Sequence, residues 1–360
     1  MPMHWYTFLI CLPLLACSPG SASPQEPATA TVIAATETDA VQTRGVDSAD
    51  DPAIWASPRG ESAMLAGHEI KGFIAGTDKT AGLYIFGIDG RKLQFLSDGR
   101  LNNVDLREMT LNGHNHVVLG ASDRGRGGIA LYVFDAQSRS ADNAVRRFGF
   151  IKSDVRQPYG LCMGKINNQL YTVLLSSRGE ARIHRLKLNR LRGAGVEIDR
   201  FSLGSKSEGC VVDEAGHALY IGEENRGLWK YRLDDLGAPE LIEPAGRGVL
   251  TADIEGVTII RDGGMRYLIA SSQGDNTFAV WRVDTGSPRF AGRFSVRRSP
   301  KVDEITKTDG IDATARPIGP YQEGLLVVQD DVNENDGQNF KIVDWRLVRK
   351  ALRATKTKAG

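Results

Sequence analysis

The sequence predicts an all-β protein, folded as a six-bladed β-propeller with four-stranded antiparallel blades. An apolar strand, a polar glycine-containing loop and a second strand recur six times, at intervals of roughly 45–60 residues, a spacing typical of propeller blades. Glycine accounts for 40 of the 360 residues, as expected for a chain with many tight turns. No long segment sustains the 3.6-residue apolar period of an amphipathic helix.

The six repeats follow one another along most of the chain. Two strands and a return pair give about four strands per repeat, which is the composition of one blade. A two-sheet sandwich array and an α/β repeat are alternatives, although the second would need intervening helices. The segment Ala53-Ile54-Trp55 is expected to pair with C-terminal strands and close the ring. The repeats occupy residues 72–86, 116–134, 169–188, 218–233, 267–283 and 324–345.

The N-terminus predicts export. Residues 1–17 contain no Lys, Arg, Asp or Glu, and residues 8–17 form an apolar run too short to span a membrane comfortably. Leu14-Leu15-Ala16-Cys17 resembles a bacterial lipoprotein box, in which Cys17 would carry the lipid. The alternative is an ordinary signal peptide cleaved later, after residues 21–23. We therefore expect an outer-membrane or cell-surface lipoprotein, or a periplasmic or extracellular protein if Cys17 is not lipidated.

The remaining chain divides into three parts. Residues 18–45, rich in Ser, Pro, Ala and Thr, predict a flexible tether; residues 46–348 form the propeller domain; residues 349–360 form a basic tail. Outside the signal region the cysteines are Cys162 and Cys210, which either form one disulfide or remain two buried thiols. One disulfide alone cannot stabilise a domain of this size, so the domain must be stabilised by a hydrophobic core.

The charge balance excludes two classes of protein. Lys and Arg total 45 against 44 Asp and Glu, a formal net charge of +1. Neither a strongly basic nucleic-acid binder nor an acidic disordered chain has this balance. We expect no nucleic-acid partner, no membrane contact except through a lipid at Cys17, and a monomer.

Carboxylate and amide side chains recur in the loops between the predicted strands. A single loop of this kind is more often a solvated turn. Six loops that all carry carboxylate or amide side chains suggest a site for a hard cation such as Ca²⁺. Lys79, Arg124 and Arg178 add positive charge, which suits a phosphorylated ligand, although surface salt bridges are the alternative. The oxygen-bearing residues include Asp50, Asp51, Asn103, Asp105, Glu208, Glu224, Asp253, Glu255, Gln273, Asp303, Asp309, Asp312, Asp330, Asp331 and Asn333.

Several motifs together resemble the β-propeller phytases, from about residue 36 to 348. Any one of them alone would be a weak signal, whereas ADDPAIW with DIEG, SSQG and TDGID is a specific combination. The matching stretches are ADDPAIW (49–55), LNNVDLR (101–107), PYGL (158–161), SEG (207–209), LYIGEEN with the following LW (219–229), DIEG (253–256), SSQG (271–274), TDGID (308–312) and QNFKIVDW (338–345).

This resemblance implies a secreted, calcium-dependent 3-phytase-type phosphatase. Such an enzyme releases phosphate from phytate (myo-inositol hexakisphosphate) or another inositol phosphate by attack of a calcium-activated water. The resemblance assigns catalytic calcium to Asp51, Glu208, Asp253, Glu255 and Asp309. It assigns phosphate contacts to Lys79, Arg124, Tyr159 and Glu224. It assigns structural calcium to Asp303, Asp330 and Asn333, and other calcium positions to Gln273 and to Asn103 or Asp105.

One stretch departs from the family pattern. The family usually has Lys, an acid and Gly in the third repeat loop, where this chain has Ser177, Arg178 and Gly179. Either Arg178 supplies the charge from one residue away, or one phosphate contact is lost. The alternatives to a phytase are a calcium propeller of the lactonase or phosphotriesterase type, and a non-catalytic binding propeller on the cell surface.

Overall fold

The computed structural model describes residue 1 and residues 28–359, except for residues 46, 190 and 334–336. The predicted signal peptide and the box at Cys17 lie outside the described residues, apart from Met1. Within the described ranges, no helix has the length and apolar character needed to cross a bilayer.

Strands make up most of the described chain, and the single α-helix among those residues is α1 (Trp345–Ala359). Short 3-10 turns occur at Pro58–Gly60 and Gln273–Asp275. The first strands are β1 (Thr29–Ile33), β2 (Thr36–Glu37), β3 (Ala49–Ala56), β4 (Ala63–Leu65), β5 (His68–Ile70), β6 (Gly72–Asp78), β7 (Gly82–Phe86) and β8 (Lys92–Leu96). The middle strands are β9 (Leu101–Leu111), β10 (His114–Asp123), β11 (Gly128–Asp135), β12 (Arg146–Lys152), β13 (Pro158–Ile166), β14 (Gln169–Ser176), β15 (Glu180–Leu188) and β16 (Gly193–Ser202). The last strands are β17 (Ser207–Asp213), β18 (Ala218–Glu223), β19 (Gly227–Arg232), β20 (Asp235–Pro244), β21 (Val257–Asp262), β22 (Met265–Ser272), β23 (Thr277–Arg282), β24 (Arg289–Arg297), β25 (Ile311–Thr314), β26 (Leu325–Asp330) and β27 (Asn339–Asp344).

The strands pair as consecutive antiparallel meanders in a propeller-like arrangement. Separate sheets contain β3-β6-β7-β8, β17 to β20, β21 to β24 and β25 to β27, and β4 and β5 form a small hairpin. Strands β9 to β16 belong to one eight-stranded sheet, whose two meanders meet at a single parallel residue pair, Gly149 with Gly193. The all-β prediction is confirmed; four separate sheets of four or five strands are present beside the eight-stranded one, where six separate blades were predicted.

The hydrophobic core lies between neighbouring meanders. One cluster joins the first and second meanders, with Trp55, Phe73 and Phe134 in mutual ring contact at centroid distances of 5.4–5.5 Å. Similar clusters join each later meander to the next, and another joins the last to the first through Tyr84, Phe86 and Phe340 among others. Burial of these apolar faces therefore links the sheets into a closed ring.

The N-terminal strands correct two predictions. Residues 29–37 do not form part of a flexible tether, because β1 pairs in parallel with β24 and β2 pairs with β27. Strand β3, which contains Ala53-Ile54-Trp55, pairs with β6 of its own sheet rather than with C-terminal strands. An N-terminal strand completes the last sheet instead. At the other end, residues 349–359 of the predicted tail continue α1.

A disulfide joins Cys162 on β13 to Cys210 on β17, with a Cα–Cα distance of 5.6 Å. The sequence left this pairing open. The bond links two neighbouring strands that both begin at the site described below.

Candidate functional site

The first strands of successive meanders contact one another in a ring: β3, β9, β13, β17, β21 and β25. At the N-terminal end of four of these strands the pairing register shifts, so that two residues of the strand lie opposite one residue of its partner. Such bulges turn the strand and re-aim side chains, and they are frequent beside functional sites. The bulged pairs are Asp50-Asp51 on β3, Asn102-Asn103 on β9, Tyr159-Gly160 on β13 and Glu208-Gly209 on β17.

Three glutamates meet at this end of the ring. One carboxylate oxygen from each of Glu208, Glu224 and Glu255 lies within 4.8 Å of the others, and all three residues are buried. Each glutamate also has a buried oxygen without a hydrogen-bond partner: Oε2 of Glu208, Oε1 of Glu224 and Oε2 of Glu255. Unpaired buried carboxylate oxygens are costly. This donor set fits a hard divalent cation that prefers oxygen ligands.

The electrostatics of this group point the same way. Burial raises the pKa of Glu255 well above its usual value, and the neighbouring charges of Glu208 and Glu224 raise it further. Burial also raises the pKa of Glu208, partly offset by Lys79. Burial raises the pKa of Glu224, where Lys206 opposes the shift and Asp253 adds to it. Without a cation these groups therefore hold protons more tightly than free carboxylates do, and a cation would compete with those protons.

Lys79 forms the second part of the site. Its Nζ lies 2.6 Å from Asp47 Oδ2, 3.2 Å from Asp50 Oδ1 and 2.7 Å from Asp309 Oδ2. Burial alone would lower the pKa of Lys79, but Asp50 and Asp309 raise it above its usual value, so the ammonium stays charged. Burial raises the pKa of Asp50 to about 8 and that of Asp309 to about 7, in each case against the opposing effect of Lys79. Gln273 donates from Nε2 to Asp309 Oδ1 at 2.7 Å.

Two basic side chains contact the ring of Tyr159. The Arg124 guanidinium is 5.8 Å and the Lys206 ammonium 4.8 Å from its ring centroid. Arg124 donates to Asn102 Oδ1 at 2.8 Å, and Lys206 forms an ion pair with Glu224 at 2.9 Å. Burial, followed by the charge of Glu208, raises the pKa of Tyr159. Its hydroxyl therefore stays protonated and can donate a hydrogen bond.

Most of the predicted site residues come together here. Asp51 is buried at the bulge, accepts a hydrogen bond from the backbone N–H of Val104 at 3.0 Å, and has a pKa raised well above its usual value by burial and then by Asp50. Asn103 is buried beside Asn102, and its amide Nδ2, oriented to donate, reaches Glu208 Oε1 at 3.1 Å and the Tyr159 carbonyl at 3.2 Å. Asp253 is half-buried, and its carbonyl accepts from the Gln273 backbone N–H at 3.0 Å.

Asp105 is not brought to this cluster. It lies farther along β9, on the wall of a cavity of about 360 Å³ enclosed by the first strands of the meanders. Its carboxylate accepts hydrogen bonds from Arg107 and from the backbone N–H groups of Leu106 and Met163, at 2.6–2.7 Å. These bonds link β9 to β13, which is a structural role.

Asp303 and Asp330, predicted to bind structural calcium, surround a lysine. The buried ammonium of Lys341 contacts Asp303, lies 3.0 Å from Asp330 Oδ2 and lies 2.8 Å from Glu37 Oε2. Asn333 donates from Nδ2 to the Gly337 carbonyl at 3.2 Å. The chain thus supplies its own cation between these carboxylates.

Sequence reasoning missed Asn102, Lys206 and Asp47, and it listed Asp50 among the loop carboxylates without a role at the site. Asn102 donates from Nδ2 to Glu208 Oε1 at 2.6 Å, and Lys206 pairs with Glu224. Asp47 and Asp50 flank Lys79. Their positions in the sequence could have pointed to them, because each lies within four residues of a residue that the motifs had singled out.

The loop that departs from the family pattern at Ser177 and Arg178 forms a small polar group next to Tyr159. Ser177 Oγ and Arg178 Nε both donate to Gln157 Oε1, at 2.8 and 3.1 Å. Gln157 is two residues before Tyr159, so Arg178 places its charge at the edge of the site.

Comparison with known proteins decides the family. The model of a family described as Phytase matches residues 7–357. The chain belongs to the phytase family. This phytase-family chain is 34% identical over 336 residues to the 3-phytase of Bacillus subtilis strain 168, covering 89% of this chain and 85% of the relative. Among solved structures, a GH43_1 enzyme from Xanthomonas citri matches with a TM-score of 0.42 and 15% identity, over 66% of this chain and 86% of that one; it is too distant to bear on function. The resemblance predicted from the motifs is confirmed, and the chain is a hydrolase of this family.

Proposed function

We propose that this hydrolase releases inorganic phosphate from phytate and requires calcium. The observation that carries the proposal is the cluster of Glu208, Glu224 and Glu255, whose unpaired buried oxygens lie beside charged Lys79 and protonated Tyr159. A site that combines cation ligands with phosphate donors suits a polyanionic phosphate ester. The kinship with a 3-phytase supports phytate as the substrate.

The three glutamates would hold calcium. We propose Asp51, Asp253 and Asp309 as further ligands, because each interacts electrostatically with one of these glutamates. A bound divalent cation neutralises negative charge on the phosphate and lowers the pKa of a coordinated water. Structural calcium at Asp303, Asp330 and Asn333 stays a prediction, because the ammonium of Lys341 already lies between Glu37, Asp303 and Asp330 but supplies one positive charge against three carboxylates.

The chain's own residues would bind and orient the phosphate. Lys79 and Arg124 present fixed positive charge to its oxygens, where charge increases during phosphoryl transfer. Tyr159 donates a hydrogen bond, and contacts of Arg124 and Lys206 with its ring hold it in place. Asn102 orients Glu208 through its 2.6 Å hydrogen bond. We assign Arg178 to a neighbouring phosphate of the same substrate.

We further propose that the fold is a six-bladed propeller with four-stranded blades. The eight-stranded sheet then counts as two blades, because one residue pair joins its halves and because a core cluster packs between them. We also propose export as a lipoprotein anchored at Cys17, or secretion if Cys17 is not lipidated, and a monomer without a nucleic-acid partner. The apolar N-terminus and the balanced charge support these assignments.

A lactonase or phosphotriesterase of the calcium-propeller type is the competing enzyme. Such a site would surround one central cation with few basic neighbours. Lys79, Arg124 and Lys206 border the glutamate cluster, and this favours an anionic phosphate ester. The same intact set of groups argues against a non-catalytic binding propeller.

Phosphate release from phytate, measured with calcium and with EDTA, tests the proposal. We expect activity only with calcium, and a loss of at least about 100-fold for Glu208→Gln. Glu240→Gln, at an exposed glutamate of β20, is the matched control and should keep wild-type activity. Full activity in EDTA would refute the calcium requirement. Full activity of Glu208→Gln would refute the assignment of the site.

A further inference from the structure

Four segments of the site share a two-residue pattern, a site residue followed by glycine. None of these glycines has a positive φ, so a left-handed backbone does not explain them. The pairs are Tyr159-Gly160, Glu208-Gly209, Glu255-Gly256 and Asp309-Gly310.

Each of these glycines touches the next site residue around the ring. A Cβ on Gly160 would lie 1.9 Å from the carbonyl oxygen of Glu208. A Cβ on Gly209 would lie 1.8 Å from the carbonyl oxygen of Glu255, and one on Gly256 would lie 2.6 Å from that of Asp309.

The series continues across the closure of the ring. A Cβ on Gly310 would lie 2.4 Å from the Cα of Asp51, and the Gly310 backbone N–H donates to the Asp50 carbonyl at 3.0 Å. Real Cβ contacts are essentially never below 3.0 Å. The atoms in the way belong mainly to backbone, which cannot turn aside as a long side chain can.

We infer that Gly160, Gly209, Gly256 and Gly310 are positioning residues that set the spacing of the site side chains. The carbonyl and the side chain of a residue leave the same Cα. When the Glu255 carbonyl rests against Gly209, the Glu255 carboxylate is therefore held at a set distance from Glu208, the neighbour of Gly209. This contact explains how carboxylates on separate meanders come within 4.8 Å of each other.

The inference rests on the proposed function, because spacing matters most if the carboxylates share one ion. Calcium binds oxygens at about 2.3–2.6 Å, so two of its ligands are at most about 5 Å apart. The observed separation is close to that limit. A methyl group on Gly209 would force the Glu255 backbone away by more than an ångström, and displacements of this size can cost about 100-fold in rate.

Gly164 provides a matched control. It lies on β13 and faces β17, as Gly160 does, but a Cβ there would meet the side chain of Val212, with Cγ1 at 2.7 Å. Gly164→Ala should disturb packing between the same two strands without moving Glu208. Gly256→Ala should have a smaller effect than Gly209→Ala, because its overlap is smaller.

The test compares the full-length protein with Gly209→Ala, Gly256→Ala and Gly164→Ala. Circular dichroism establishes folding, titration calorimetry with calcium chloride gives the affinity without substrate, and phosphate release from phytate gives kcat and KM. We expect Gly209→Ala to lose about 10-fold or more in calcium affinity and about 100-fold in kcat. We expect Gly256→Ala to lose less of both, and Gly164→Ala to melt earlier with affinity and kcat within about twofold of wild type.

Each outcome separates this inference from the proposed function. Wild-type calcium affinity in folded Gly209→Ala and Gly256→Ala, or an equal loss in Gly164→Ala, overturns the inference and leaves the function intact. Failure of both site variants to fold at 25 °C with calcium also overturns it, because the glycines would then serve the fold. If the wild type binds calcium but releases no phosphate, the function fails, and the affinity series alone decides the inference. A wild type that binds no calcium overturns both.

Discussion

Replacing Glu255 by Gln should stabilise the metal-free protein while removing its response to calcium. The side chain keeps its shape and loses its charge. Glu255 faces Glu208 and Glu224 within 4.8 Å, and burial and these charges raise its pKa well above its usual value. At neutral pH, folding therefore either leaves Glu255 charged beside two other carboxylates or makes it take up a proton, and both cost free energy.

Two calculations give the size of this effect. Two unit charges 4.8 Å apart repel by about 3 kcal/mol at an effective dielectric constant of about 20. Protonating a carboxyl of ordinary pKa 4.5 at about pH 7 costs about 3 kcal/mol. These are two descriptions of one penalty, so Glu255→Gln should gain up to about 3 kcal/mol in EDTA at neutral pH. The gain should vanish near pH 4, where the unfolded glutamate is also protonated.

Urea unfolding in EDTA and in excess calcium is the assay. Calcium at about 100 times its Kd should stabilise the wild type by about 2.7 kcal/mol, and Glu255→Gln by much less. Glu69→Gln, at an exposed glutamate, should match the wild type under both conditions. The reasoning is refuted if Glu255→Gln is less stable than the wild type in EDTA, or if calcium stabilises both equally.

Raising the pH from about 4 to about 8 should destabilise the metal-free protein by a few kcal/mol. Asp50 and Asp309, with pKa values raised to about 8 and about 7, bind protons in the folded state that the unfolded state has already released. A urea midpoint in EDTA that rises with pH would contradict this. Lys79→Met should reduce kcat by about 100-fold and the free energy of unfolding by about 3–5 kcal/mol, since Asp47, Asp50 and Asp309 lose their shared cation. The same change at an exposed lysine should leave both quantities unchanged. A folded Lys79→Met variant with normal kcat would exclude a role for the ammonium. Replacing Cys162 and Cys210 by Ala should lower the free energy of unfolding by about 4 kcal/mol, because the disulfide closes a loop with a sequence separation of 48. The value of kcat at 25 °C should stay near that of the wild type. An unchanged melting temperature would show that the bond adds no stability.

Local patterns in the sequence were sufficient for the all-β class. The recurring strand, loop and strand units depend on side-chain alternation and on turn residues, both of which are local properties. The motifs around Glu208, Glu255 and Asp309 could be recognised for the same reason, since each is a short segment at the start of a strand.

The details of the site depended on register, which is not local. A bulge at Asp50-Asp51 and another at Asn102-Asn103 break the alternation of side chains, so that adjacent residues cannot be assigned to faces by counting. The partner of Asp303 was hidden for a related reason, because Lys341 lies 38 residues away and only sheet pairing brings it there.

The all-β class, the family and the residue types of the site could be predicted from the amino-acid sequence, because these depend on periodicity and short motifs. The folded arrangement of the strands was needed to establish which carboxylates share one position, which contact a lysine and which merely link strands. It also decided that Cys162 pairs with Cys210 and that an N-terminal strand completes the last sheet. These outcomes depend on distances between strands far apart in the chain, which are set by the closing of the ring and by the packing of one meander against the next.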